Sequence, residues 1–88
     1  MKSIYKYALQ AKDEQVLTLP INSRILSVEE QYGGVVIYAL VDTTTEEIED
    51  YYFQIRGTGH NADYLGDYTF LGTVKLHGGQ LMFHVFFK

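Results

Sequence analysis

Tyr68-Thr69-Phe70-Leu71-Gly72-Thr73-Val74-Lys75-Leu76, then His77-Gly78-Gly79-Gln80, then Leu81-Met82-Phe83-His84-Val85-Phe86-Phe87: two runs of apolar and aromatic residues, parted by a glycine pair, close this chain. Neither central glycine carries a Cβ, so both can take positive φ, and the pattern predicts a tight β-hairpin. In the first run Phe70, Gly72, Val74 and Leu76 are expected on one face, with Leu71, Thr73 and Lys75 on the other. The second run is apolar on both faces.

Upstream, the same period of two recurs. Tyr5, Tyr7 and Leu9 alternate with Lys6 in Ile4–Leu9, the mark of a half-buried strand. Gln15–Leu19 is a second short strand closed by the only proline, Pro20, which belongs at the end or edge of a sheet because it donates no hydrogen bond. Asn22-Ser23 can open a helix, but the β-branching of Arg24–Glu29, continuing to Gln31, favours a third strand. Gln31-Tyr32-Gly33-Gly34 signals a turn. Val35–Val41 is the most apolar run, reads as a central strand, and is too short to span a bilayer. After the polar Asp42–Glu47 connection, Tyr51, Phe53 and Ile55 share one face of a strand whose other face carries Tyr52, Gln54 and Arg56. Gly57–Asp67 is the longest loop. Together these stretches predict one all-β domain over residues 1–88, a small antiparallel sandwich or partly open barrel of about seven strands.

Composition agrees. The 88 residues are 47% hydrophobic and 15% aromatic, too rich for a disordered segment and too few for a second domain. No cysteine is present, so neither a disulfide nor a thiolate metal site reinforces the small core, and association between copies is expected to help. Strands that are apolar on both faces point the same way, to a homo-oligomer. A net charge of −4 argues against broad contact with a nucleic-acid backbone. With no signal-peptide pattern and no long apolar run, a soluble intracellular protein without membrane attachment is expected.

One stretch stands out as a candidate site. Arg56-Gly57-Thr58-Gly59-His60 follows a strand directly, and glycines flanking a hydroxyl residue can let consecutive main-chain amides converge on an anion, with Arg56 offering a bidentate fork. Its spacing matches neither a Walker A loop nor a dinucleotide fingerprint, and a plain glycine-rich connection is the competing reading. Tyr52 and Tyr64 are candidates to stack on a base, although most of the tyrosines are expected to fill the core with hydroxyls at its rim. His60, His77 and His84 have no paired metal-ligand spacing, so no metal or cofactor is expected. His84, between Phe83 and Val85, reads as a packed or interface imidazole bonded to a carbonyl. No serine stands in a nucleophile motif, which favours a non-enzymatic protein. The five acids Asp42, Glu46, Glu47, Glu49 and Asp50 read as a solvated loop that blunts a sheet edge, and alternatively as a docking surface for a basic protein.

The chain also resembles a family of small phage and prophage proteins of unknown function. The resemblance runs through Ile4-Tyr5-Lys6-Tyr7, Ile25-Leu26-Ser27-Val28, Ala39-Leu40-Val41-Asp42, Gly57-Thr58-Gly59-His60, Leu71-Gly72-Thr73-Val74, and Gly78-Gly79 with Phe83-His84-Val85-Phe86. It implies a viral origin and action in the host cytoplasm. Under it, the leading expectation is an anti-defence protein that sequesters a nucleotide-derived immune signal, of ADP-ribose or cyclic-nucleotide type, through Arg56, Gly57, Thr58, Gly59, His60, Tyr52 and Tyr64. The alternatives are a module that inhibits a host defence protein through the acidic stretch, or a virion accessory protein.

Overall fold

A computed structural model describes all 88 residues. Seven strands form in chain order: β1 (Lys2–Leu9), β2 (Glu14–Pro20), β3 (Arg24–Gln31), β4 (Gly34–Asp42), β5 (Ile48–Gly57), β6 (Thr69–Leu76) and β7 (Leu81–Phe87). They make two antiparallel sheets, of order β1-β4-β3 and β2-β5-β7-β6, packed face to face. The sheets do not close on each other, so of the two architectures expected the sandwich is the one formed. No helix is long and apolar enough to cross a membrane.

The most apolar run, β4, lies at the centre of its sheet, and Pro20 ends β2, an edge strand. Alternation along the strands sends Leu9, Leu19, Ile25, Val28, Ile37, Ala39, Val41, Phe53, Ile55, Val74, Leu76 and Val85 inward as one continuous core. The molecule is only 16 Å across its thinnest direction, and 15 of 88 residues are buried, so each inward side chain carries a large share of the hydrophobic stabilisation.

Two turns follow their local chemistry. Tyr32 (φ 53°) and Gly33 (φ 79°) join β3 to β4 as a two-residue hairpin turn with both central residues left-handed, and Glu30 accepts the Gly33 amide at 2.7 Å. The C-terminal hairpin also forms, but its loop is longer than the glycine pair alone. Leu76 pairs with Leu81 around His77–Gln80, and His77 joins Gly78 and Gly79 at positive φ.

The largest departure from simple alternation lies in β6. A β-bulge between Phe70 and Gly72 resets the register, so that Phe70 pairs with Phe86 and Gly72 with Val85. Phe70 therefore leaves the expected core face; it is 56% exposed, its ring 5.5 Å from that of Phe86, while Leu71 packs against the core. A second irregularity between Ile25 and Ser27 leaves Leu26 exposed on β3. The two bulged strands meet across the sandwich, where a Cβ built on Gly72 stands 2.9 Å from Val28 Cγ1.

Candidate functional site

Register pairing makes the outer face of the four-stranded sheet readable row by row. Arg56 on β5 lies opposite His84 on β7, and His84 lies opposite Thr73 on β6. Partners directly opposite share a face. The His84 ring is half-buried between two hydroxyls: Nε2 is 2.8 Å from Thr58 Oγ1 and Nδ1 is 2.9 Å from Thr73 Oγ1. This corrects the expected carbonyl partner for His84. Both imidazole nitrogens are engaged side chain to side chain, which fixes the ring's plane.

Arg56 is held by neutral acceptors. Its Nη1 donates to the Asp13 and Ile55 carbonyls at 3.0 Å each, and its Nη2 donates to the Gln54 side-chain oxygen. The molecule's two ion pairs, Met1 to Asp42 and Lys88 to Asp67, lie elsewhere, so no carboxylate cancels the Arg56 charge. Gln54, only 3% exposed, uses its amide nitrogen to hold the Tyr64 carbonyl at 3.1 Å. The loop after β5 is thereby folded back across the sheet, and the Lys88–Asp67 contact at 3.0 Å pins its far end.

Beside this row, at the end of the sheet, a cavity of about 310 Å³ is lined by Gly57, Thr58, His60, Gln80, Leu81, Met82 and Phe83. Gly57 is a glycine for a visible reason. A Cβ there stands 2.7 Å from the His60 ring, which lies across the strand end while the His60 amide donates to the Gly57 carbonyl at 3.0 Å. Thr58 belongs to both features, its backbone in the cavity wall and its hydroxyl on His84.

The structure brings Arg56, Gly57, Thr58 and His60 to one end of the sheet. Converging main-chain amides do not form there: the Thr58 amide donates to Met82 at 3.2 Å and the His60 amide to Gly57, which leaves only Gly59 between them (φ 85°) without an acceptor. Tyr64 stands 87% exposed on the folded-back loop, at positive φ. Tyr52 lies five residues up β5 from Gly57, about 17 Å away at the rise of a strand, with Lys88 Nζ 5.9 Å from its ring centre. Thr73 and His84 were not read as site residues from the sequence. The signal available was that His84 is the one polar residue of β7 and that Thr73 shares the polar-leaning face of β6 with Lys75.

The five acids divide. Glu49 and Asp50 belong to β5 rather than to a loop. Glu49 accepts from Tyr51 at 2.8 Å and Asn22 at 3.2 Å, Asp50 from Thr18 at 2.8 Å, and Asp42 from Thr44 at 2.6 Å. Only Glu46 and Glu47 keep free carboxylates, a thin basis for an acidic docking surface. No three His, Cys, Asp or Glu side chains gather as metal ligands do.

Residues 1–88, the whole chain, match the family described as a domain of unknown function, DUF7352. The chain belongs to the DUF7352 family. No curated protein and no solved structure matches this DUF7352 chain.

Proposed function

We propose that this DUF7352 protein is a non-enzymatic binding protein for a small phosphate-bearing ligand of nucleotide type. The ligand is held where Thr58 joins the 310 Å³ cavity to the Arg56–His84–Thr73 row. The observation that carries the reading is the Arg56 guanidinium, fixed by carbonyl and amide oxygens alone, on the strand position that pairs with His84. A cation oriented by neutral acceptors keeps its field for an incoming anion, and its remaining N–H groups are aimed in advance. The hydroxyl that accepts from the His84 ring N–H keeps its own proton to donate, and the Gly59 amide and the exposed Tyr64 ring add a further donor and a stacking surface.

A hydroxyl beside an imidazole also suits nucleophilic catalysis, but here the third partner is the Thr73 hydroxyl rather than a carboxylate that would orient and stabilise an imidazolium. That difference favours binding over turnover. The resemblance to phage proteins extends the proposal to sequestration of a nucleotide-derived immune signal in an infected host. Exposed Phe70, Val16 and Tyr52 on the same sheet face support a second copy closing over it.

The test is calorimetric titration with ADP-ribose, cyclic dinucleotides and mononucleotides, followed by chromatography of the recovered ligand. Saturable binding of an unchanged nucleotide, weakened in Arg56→Ala by about 1.5–3 kcal/mol as expected for a charged hydrogen-bonding group, supports the proposal. Absence of binding across the panel, or conversion of the ligand, rejects it.

A further inference from the structure

A larger concavity, of about 590 Å³, opens at the end of the three-stranded sheet, on a different sheet from the Arg56 row. Leu40 and Asp42 of β4 and Ile21 form its floor and side, with Lys2 and Arg24 from the flanking strands and Asn22, Thr45 and Glu47 from two loops. Internal hydrogen bonds set the walls. The Ile21 amide donates to the Glu47 carbonyl at 2.9 Å, the Ser23 hydroxyl to the Pro20 carbonyl at 2.6 Å, and the Thr44 amide to Asp42 at 2.9 Å.

The charges lining it are arranged unequally. Lys2 and Asp42 face each other as cross-strand partners, and Asp42 also has the Met1 ammonium at 3.7 Å, so these groups largely answer one another. Arg24 and Glu47 do not. Neither side chain has a hydrogen-bond or ion-pair partner, and although they line the same cleft they do not come within the 4 Å of an ion pair. A purely anionic ligand would meet the two carboxylates, and a purely cationic one would meet Lys2 and Arg24. Unpaired opposite charges lining one cleft, with the apolar side chains Leu40 and Ile21 beside them, match a ligand that carries both charges with an aliphatic group between.

We propose that this cleft binds a short zwitterionic ligand of dipeptide class. Arg24 takes its carboxylate in the guanidinium fork, Glu47 takes its ammonium, and an apolar side chain rests on Leu40 and Ile21. This site is independent of the Arg56 row, and either can fail without the other.

The probe is leucyl-leucine, with its N-acetylated and C-amidated forms, followed by calorimetry and by amide shifts in NMR spectra of the full chain. Expected are saturable binding, shifts at Asn22, Arg24, Leu40 and Thr45, and about tenfold weaker affinity for either capped form, for Arg24→Gln and for Glu47→Gln. Both substitutions lie at exposed positions, and an unchanged melting temperature separates lost binding from lost folding. Absence of saturable binding, equal affinity for the capped forms, or shifts confined to Arg56, Thr73 and His84 overturns the proposal.

Discussion

Thr58 Oγ1 and His84 Nε2 stand 2.8 Å apart, although 26 residues separate them in the chain. The contact ties the loop that leaves β5 to the middle of β7, and with Thr73 on the other side of the ring it locks the imidazole in one orientation. His84→Ala removes both partners and leaves two half-satisfied hydroxyls. Stability is expected to drop by about 1–2 kcal/mol, and by less in Thr58→Val, which breaks one of the two ring contacts and leaves the other in place. Urea unfolding of the two variants checks the order.

Gln54 is the buried polar link between the site and the loop above it. Gln54→Ala strands the Tyr64 carbonyl and one Arg56 N–H, at a cost of about 1–3 kcal/mol. Hydrogen exchange should then accelerate across residues 61–67, while β4 amides keep their protection apart from the global change. Uniform acceleration with no added effect in that loop would show that the amide does not hold it.

Gly72 and Val28 set how closely the two sheets approach. The backbone at Gly72 is not left-handed, so the penalty in Gly72→Ala is steric: the added methyl stands 2.9 Å from Val28 Cγ1. Overpacking of this kind is expected to cost about 1–3 kcal/mol. Thermal melts of Gly72→Ala and of Gly72→Ala with Val28→Ala test it, since the second change opens the space and should restore part of the first loss.

Two carboxyls shape the acid limb of stability. The hydroxyl and amide of Thr44 hold Asp42 below its ordinary value of 3.8, and the hydrogen bond from the Lys88 ammonium does the same for Asp67. A carboxyl whose folded value is depressed contributes stability above its unfolded value and loses that contribution as pH falls through the folded one. The melting temperature should therefore decline between about pH 5 and about pH 2, less steeply in Asp42→Asn with Asp67→Asn. Asp67 is exposed and Asp42 half-exposed, so the difference will be small and will shrink further in high salt.

What the sequence disclosed follows from what alternation encodes. Alternation and apolar runs bounded by turn residues located all seven strands, and the period of two told inside from outside along β1 and β5, because burial of one face is a local constraint. It could not reveal that β5 sits between β2 and β7, since partner choice depends on the whole sandwich. Phe70 was misplaced because a bulge of one residue reverses the faces on its N-terminal side, and Gly72, the glycine that marks such a bulge, was read as an ordinary strand position. The site shows the same division. Gly57 and His60 were legible as a turn with a functional look, but the Arg56–His84–Thr73 row exists only once three strands are laid side by side. The amides expected to grip an anion were already spent on Met82 and Gly57, a competition visible only in the fold.

If one end of the four-stranded sheet, around Arg56 and His84, is the ligand-binding surface, a nucleotide must perturb that row. Titration of ADP-ribose and a cyclic dinucleotide into isotopically labelled protein, followed by NMR, tests this most directly. Expected are saturable shifts in the amides of Arg56, Thr58, Gly59, Thr73 and His84, and their loss in Arg56→Ala that remains folded. Saturable shifts elsewhere with that row unmoved, or no shifts with either nucleotide, would contradict it.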